Sequence, residues 1–353
     1  MIEDILQEDV LLAPYTTLQL GGPARHFARC ESVDQFRASL TWAAQNALPV
    51  QILGGGSNTI FSDDGFLGLV FHISLSGVGF IAEKDAILAT AAGGEDWDSF
   101  VHLCVERGLA GIECLAGIPG QVGATPIQNV GAYGQEVRDS IAGLRALDRQ
   151  SLKIVEFSAD DCDFAYRQSR FKTADRNRYI ITDVTFRLRP EGRPELRYPE
   201  LRRTIEQSVD LASLESGAPI LTAVRNAVLA LRRSKSMVVD PDDPDSRSAG
   251  SFFLNPILSE EQFATLRERV SAPSSIPQFP APNGKKIPAA WLVEQAGYHK
   301  GYRQGGVGIS IHHALALVNR NGTTRDLLNL ASAIQNEVFQ KFDIHLEREP
   351  VVV

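Results

Sequence analysis

An α+β fold in more than one domain is what this sequence predicts, and three observations carry that reading. A helix, a strand, a glycine turn and a further strand follow one another between residues 32 and 73, strand-like segments crowd into residues 141–188, and the last third mixes capped helices with short strands. The 353 residues, set against roughly 150 per domain, correspond to two or three domains with enough buried area to fold without disulfide staples.

Taken in order, Ser32 with Gln35 three residues later is a capping-box signature, and Val33, Phe36, Leu40, Ala43, Ala44 and Ala47 follow at helical spacing until Leu48-Pro49. The apolar strand 50–53 comes next. Gly54-Gly55-Gly56-Ser57-Asn58 turns the chain, and beyond Asp63-Asp64-Gly65 a second apolar strand covers 67–73. Trp97, Phe100, Val101, Cys104 and Val105 mark an amphipathic helix, with Gly108 as its stop. From 109 to 134, six glycines are interleaved with Pro119 and Pro126, a pattern too irregular for a helix.

Residues 141–147, 153–157 and 179–188 predict strands by their β-branched and aromatic content. The polar turn 189–194, Pro219 and the acidic loop 240–248 are candidate joints. Past that loop, Ser259 and Gln262 cap a helix through Phe263 and Leu266, a Pro-rich connector spans 273–288, and a short helix covers 291–295. Leu327, Leu330, Ala331, Ile334 and Val338 space a last helix that feeds a terminal strand, 344–353.

With 35 basic residues against 43 acidic ones the net charge is −8, which argues against a surface that tracks nucleic acid or anionic lipid by bulk attraction. An anionic ligand must therefore meet a local cluster of cations. Cys30, Cys104, Cys114 and Cys162 lie far apart without Cys-x-x-Cys spacing, so they predict reduced thiols in a cytoplasmic protein and no zinc knuckle. His312 and His313, placed on a strand, would face opposite sides, and no metal is expected. The acidic residues 1–10 have the wrong polarity for an export leader. The uncharged stretch 38–62 is broken by Gln45, Asn46, Pro49 and the glycine turn, so no membrane span is expected, and no protein partner is legible.

Two glycine segments carry the first chemical signal. Backbone N–H groups in Gly54-Gly55-Gly56-Ser57-Asn58 can approach a diphosphate because no Cβ stands in the way, although a plain tight turn is the competing explanation. The turn lacks the third glycine and the following helix of a dinucleotide fingerprint, and Gly77-x-Gly79-x-x-Ala82 precedes a strand rather than a helix. The run from Gly117 to Gly134 is more specific: Gly117, Gly120, Gly123 and Gly131 accompany Thr125, Gln128 and Asn129, which offer polar groups to a flat heteroaromatic edge. Tyr166-Arg167-Gln168-Ser169-Arg170-Phe171-Lys172 sets three cations among two aromatics, with a solvated basic face as the alternative. Ser251 stands between Gly250 and Phe252-Phe253, where a buried serine bonded to backbone is the plainer explanation. Glu347 and Glu349, two apart on a strand, share a face.

Pro126-Ile127-Gln128-Asn129-Val130-Gly131-Ala132-Tyr133-Gly134, Tyr166-Arg167-x-Ser169, Ala249-Gly250-Ser251-Phe252-Phe253-x-Asn255-Pro256 and Leu346-Glu347-x-Glu349 occur in the order seen in one enzyme family. In these motifs the chain resembles the UDP-N-acetylenolpyruvoylglucosamine reductases of peptidoglycan precursor synthesis. The resemblance implies a two-lobed FAD-binding domain of the vanillyl-alcohol oxidase type over 1–195, with lobes of about 1–75 and 76–195. A connecting segment with a tyrosine loop and a basic helix would follow over 196–240, then an α+β substrate-binding domain over 241–353. It implies non-covalent FAD held by both glycine segments, NADPH as hydride donor, and reduction of UDP-N-acetylenolpyruvoylglucosamine to UDP-N-acetylmuramate.

Carried over motif by motif, the resemblance makes Arg167, Ser251 and Glu349 the catalytic set. Tyr166, Tyr198, Lys235, Asn255 and Lys300 become substrate contacts, Tyr198 resembling a tyrosine that one subgroup folds over bound substrate. Pro350 after Glu349 leaves Glu347 as an alternative carboxylate. Two other functions remain open on the glycine turns: a flavin oxidase of an alcohol or sugar, which has no use for Arg167 or the Ser251 motif, and a non-catalytic nucleotide-sugar-binding module, which needs neither Ser251 nor Glu349.

Overall fold

Ser32 accepts a hydrogen bond from the Gln35 amide at 3.2 Å, and the helix Val33–Gln45 starts at that cap. The reciprocal bond falls one residue early, Gln35 Oε1 accepting from the Glu31 amide at 2.6 Å. The computed structural model describes residues 2–207 and 210–353. These divide into two units, one of residues 1–10, 24–55 and 67–238, the other of 11–23, 56–66 and 239–353.

In the first unit, four strands lie in the order Leu6–Leu11, Pro23–Cys30, Phe66–Ile73, Val50–Leu53, the last two parallel. Phe36, Leu40 and Ala43 on the helix Val33–Gln45 share a core with Leu69 and Phe71 of that sheet. A larger antiparallel sheet runs Ile154–Ser158, Ile141–Asp148, Tyr179–Pro190, Ile87–Ala92, Val78–Ala82. Its register sets Thr90 opposite Thr185, whose hydroxyls bond at 2.8 Å. The rings of Trp97 and Phe100 of the helix Trp97–Glu106 pack at a tilt against Phe186, with centroids 5.7 and 5.3 Å away. Burying each such aromatic contributes about 1.5–3 kcal/mol, and the cluster ties helix to sheet.

The helix Ala218–Arg233 buries Ile220, Leu221, Val224 and Val228 in the same core. Pro219, a candidate joint from the sequence, instead occupies this helix's first turn, where its missing N–H costs nothing.

The second unit is built on an antiparallel sheet ordered Ser248–Ser251, Ala316–Asn319, Val307–Ile309, Arg303–Gln304. The helix Thr324–Phe342 packs on it through Leu327, Leu330, Ala331, Ile334 and Val338. The Ser259–Gln262 capping box forms with both of its bonds, at 3.2 and 2.9 Å, ahead of the helix Glu260–Arg269.

Two further expectations are corrected. Only Val351–Val352 of the terminal segment is a strand, and it lies parallel to Thr59–Ile60. Residues 344–350 make a single bridge, Arg348 to Phe253, and Pro350 has no N–H with which to continue a ladder. His312 and His313 sit in a bend rather than on a strand, and the Nδ1 of His313 accepts from the Leu315 amide at 3.0 Å.

All four cysteines are free and buried, and burial pushes the Cys104 and Cys162 thiols up to about 12. Among the described residues no helix is long and apolar enough to cross a membrane, and no group of three His, Cys, Asp or Glu is placed to hold a metal ion.

Candidate active site

In the first unit the two glycine segments meet backbone to backbone. A Cβ on Gly55 would lie 2.8 Å from the Gly120 Cα, and one on Gly54 would lie 3.1 Å from Gln121 Oε1. That oxygen is buried without a hydrogen-bond partner, while Nε2 of the same amide donates to the Ile73 carbonyl at 2.9 Å. A Cβ-free cradle with an unspent acceptor fits a group that brings its own donors and presses flat against backbone, as a flavin nucleotide does. Gly55→Ala is therefore expected to purify with little flavin, because the methyl meets backbone that cannot rotate away. Absorbance near the flavin bands against protein measures this, and native flavin content would show that the approach is only a turn.

The other residues of the long glycine segment divide by what their side chains touch. Gly117 is clamped from both sides, its N–H donating to Asp98 at 2.7 Å and its carbonyl accepting from Arg232 Nε at 3.0 Å. A Cβ on Gly123 would sit 2.9 Å from Gly93. Thr125 is buried, and its hydroxyl donates to the Val122 carbonyl at 2.8 Å. The Asn129 carboxamide is consumed inside the protein, donating to Glu136 at 2.9 Å and to Ala165 at 3.0 Å and accepting from the Arg138 amide at 3.2 Å. Gln128, next to Asn129, is half-buried.

Arg167 adopts φ +53, the left-handed region that side chains other than glycine rarely occupy. Its Nη2 donates to the Gly131 carbonyl at 2.5 Å and its Nη1 to the Asn129 carbonyl at 3.4 Å. The guanidinium carbon lies 5.4 Å from the Tyr166 ring centre. The side chain is half-buried, and these two carbonyl contacts orient its planar fork.

Tyr198 precedes the helix Pro199–Glu206, and its ring meets Tyr133 edge to face at 5.5 Å. Burial pushes the Tyr133 phenol up to about 12, with Arg232 pulling the other way, so it stays a hydrogen-bond donor at neutral pH. Lys235 Nζ lies 3.0 Å from the Glu200 carboxylate on the same short helix. The resemblance implies a substrate contact for Lys235, and in this structure its charge is paired with Glu200.

In the second unit, Ser251 ends a strand whose pairing with Ala316–Asn319 is irregular between Ser248 and Ser251. Gly250 stands in that irregularity at φ +72, where a β-bulge turns the next side chain and a Cβ would be strained. Phe252 and Phe253, buried and 5.3 Å apart, pin the chain just beyond. The amide of Glu349 donates to the Phe252 carbonyl and the Leu254 amide to the Glu347 carbonyl, both at 2.9 Å, so the serine motif and the terminal glutamates are joined. Glu349 is half-buried and Glu347 exposed.

Asn58 Nδ2 donates to the Glu349 carbonyl at 3.3 Å, which brings the end of the first glycine turn, Gly56-Ser57-Asn58, to the same place. Asn255 spends its carbonyl oxygen on the Ala289 amide at 2.8 Å, capping the helix Ala289–Gln295. Lys300 is exposed.

Sequence reading did not single out Gln121, Tyr133 or Glu136, which bring to these segments an unpaired buried oxygen, a raised phenol and a carboxylate bonded to Asn129. Each lies inside or directly after the long glycine segment, and that proximity is the signal that could have found them.

The glycine cradle belongs to a flavin-binding protein: residues 24–158 match the FAD binding domain family. Residues 242–353 match the C-terminal domain of UDP-N-acetylenolpyruvoylglucosamine reductase. The UDP-N-acetylenolpyruvoylglucosamine reductase of Thermobifida fusca is 46% identical over 98% of this chain and 97% of its own. That of Streptomyces coelicolor is 46% identical over 98% and 89%. The crystal structure of the Thermus caldophilus enzyme superposes with a TM-score of 0.64 at 23% identity, covering 97% of each chain. The chain belongs to the UDP-N-acetylenolpyruvoylglucosamine reductase family.

Proposed function

We propose that this protein reduces the enolpyruvyl double bond of UDP-N-acetylenolpyruvoylglucosamine to give the peptidoglycan precursor UDP-N-acetylmuramate, with NADPH as hydride donor. The observation that carries this reading is similarity along nearly the whole chain to relatives of that name. Residues 54–58 and 117–131 would hold FAD without a covalent link. Bound there, FAD supplies the chemistry of accepting a hydride from NADPH and passing it to the alkene.

The balance of the reaction assigns work to three side chains. The terminal carbon gains a hydride and the adjacent carbon a proton, and between the two events negative charge spreads into the neighbouring carboxylate. Arg167 meets that charge with a planar, permanent cation whose aim is set by the Gly131 and Asn129 carbonyls. The Ser251 hydroxyl delivers the proton from the end of its bulged strand. Glu349, the half-buried member of the glutamate pair, is the carboxylate suited to the interior of the site, and Glu347 is not.

Lys300 and Lys235 would meet the diphosphate, the latter by exchanging Glu200 for the ligand. Tyr198, Tyr166 and Asn255 would contact the nucleotide sugar. The buried free thiols fit a cytoplasmic enzyme.

Purified protein is expected to be yellow, to release all its flavin on acid precipitation, to bleach under anaerobic NADPH and to regain colour on adding UDP-N-acetylenolpyruvoylglucosamine. Colour that resists NADPH would favour an oxidase, and colour left in the pellet would overturn the non-covalent assignment. A colourless protein with no affinity for FAD would point to a binding module.

A further inference from the structure

We propose that Glu136 is a positioning residue for Arg167, acting through the carboxamide of Asn129; this rests on the catalytic role proposed for Arg167. Asn129 is fully buried at φ +45, so its side chain must find every partner inside the protein. It finds three, on two stretches of chain: the Glu136 carboxylate and the Arg138 amide on one, and the Ala165 carbonyl on the other. Ala165 stands two residues before Arg167, in a turn closed by paired bonds between Ala165 and Gln168. Arg167 reaches back to the Asn129 and Gly131 carbonyls. Asn129 therefore grips the turn that carries Arg167, and Arg167 grips the turn that carries Asn129.

Glu136 reinforces the way this closed circuit faces. A carboxylate only accepts hydrogen bonds, and so does the Ala165 carbonyl, so the Asn129 NH₂ must point at both and its oxygen at the Arg138 amide. Flipping the carboxamide would set oxygen against two acceptors. The hairpin register places Glu136 directly opposite Gly131. A Cβ on Gly131 would lie 2.8 Å from Glu136 Cγ and 3.1 Å from Arg167 Nη1, so the two side chains pack on the same glycine, no more than about 6 Å apart. Arg138 also pairs with Glu136 at 2.7 Å, but from a side chain 45% exposed, where an ion pair contributes little. With its carboxylate acceptor lost, the Asn129 amide keeps the Ala165 carbonyl and the Arg138 amide but loses one of the three bonds that hold its plane, so the turn carrying Arg167 is less firmly placed. Misplacing a catalytic group by about 1 Å costs up to roughly 10² in rate.

The test separates the two half-reactions in the holoenzyme. Glu136→Ala is expected to keep its flavin and to be bleached by NADPH at the native rate, while reoxidation by UDP-N-acetylenolpyruvoylglucosamine slows by about tenfold or more. Glu136→Asp, which keeps the charge but draws the carboxylate back by one methylene, is expected to lose the same step, so the result does not hinge on the alanine variant folding. Glu136→Gln keeps an acceptor for Asn129 and is expected to restore most of the rate, and Arg138→Ala to leave it native. Introduced into Arg167→Lys, Glu136→Ala should add little further loss, because both act on one group.

Native reoxidation in Glu136→Ala or Glu136→Asp, or full additivity with Arg167→Lys, would overturn the assignment. Failure of the functional reading looks different, since the wild-type protein itself would then not bleach with NADPH or not be reoxidised by this substrate.

Discussion

Arg167→Lys is expected to retain flavin and NADPH-driven bleaching while the rate of substrate reduction falls by about 10²–10³, the usual cost of removing a preorganised donor from a developing anion. The magnitude follows from how the guanidinium is used. Two of its nitrogens donate to the Gly131 and Asn129 carbonyls, at 2.5 and 3.4 Å, and these bonds set the plane of the guanidinium fork. A lysine ammonium is a single point on a flexible stem and cannot hold two carbonyls and present a fork to a carboxylate together. On a solvated basic face the same exchange would change stability by less than about 0.5 kcal/mol and leave turnover intact. Stopped-flow traces of the two half-reactions separate these outcomes, and near-native substrate reduction would remove Arg167 from the chemistry.

Ser251→Ala is expected to reduce its flavin with NADPH at the native rate and yet form product about 10²–10⁴-fold more slowly, the range lost with a positioned proton donor. Alanine keeps the Cβ, and the local backbone is fixed by other means: the bulge at Gly250, the Phe252 amide on the Leu315 carbonyl at 2.9 Å, and the buried Phe252–Phe253 pair. The substitution therefore removes a hydroxyl and little else. Equal slowing of flavin reduction and turnover would make Ser251 a structural residue.

Local features of this protein were legible because their causes are local. A helix cap is decided by residues three or four apart, so Ser32 with Gln35 and Ser259 with Gln262 announce the helices Val33–Gln45 and Glu260–Arg269. Apolar spacing likewise marks the helix Trp97–Glu106, and β-branched and aromatic content the strands Ile141–Asp148 and Tyr179–Pro190. The motif order placed the chain in its family before any geometry was known.

Tertiary structure decided what depends on partners distant in the chain. Nothing near residues 344–353 says that only Val351–Val352 will pair, because the partner, Thr59–Ile60, lies almost 300 residues earlier and Pro350 blocks the alternative. Nor does the sequence show that residues 11–23 and 56–66 join the unit of the last third. The same holds within the candidate site. Asn129 has the right chemistry to face a ligand, and its carboxamide is instead spent on Glu136, Ala165 and Arg138; Lys235 has the right charge for a phosphate and meets Glu200 first. A sequence determines which groups are present and how the chain turns over a few residues, whereas hydrogen-bond valence and charge are claimed by whatever folding brings nearest, and only the packed chain shows which claims succeed.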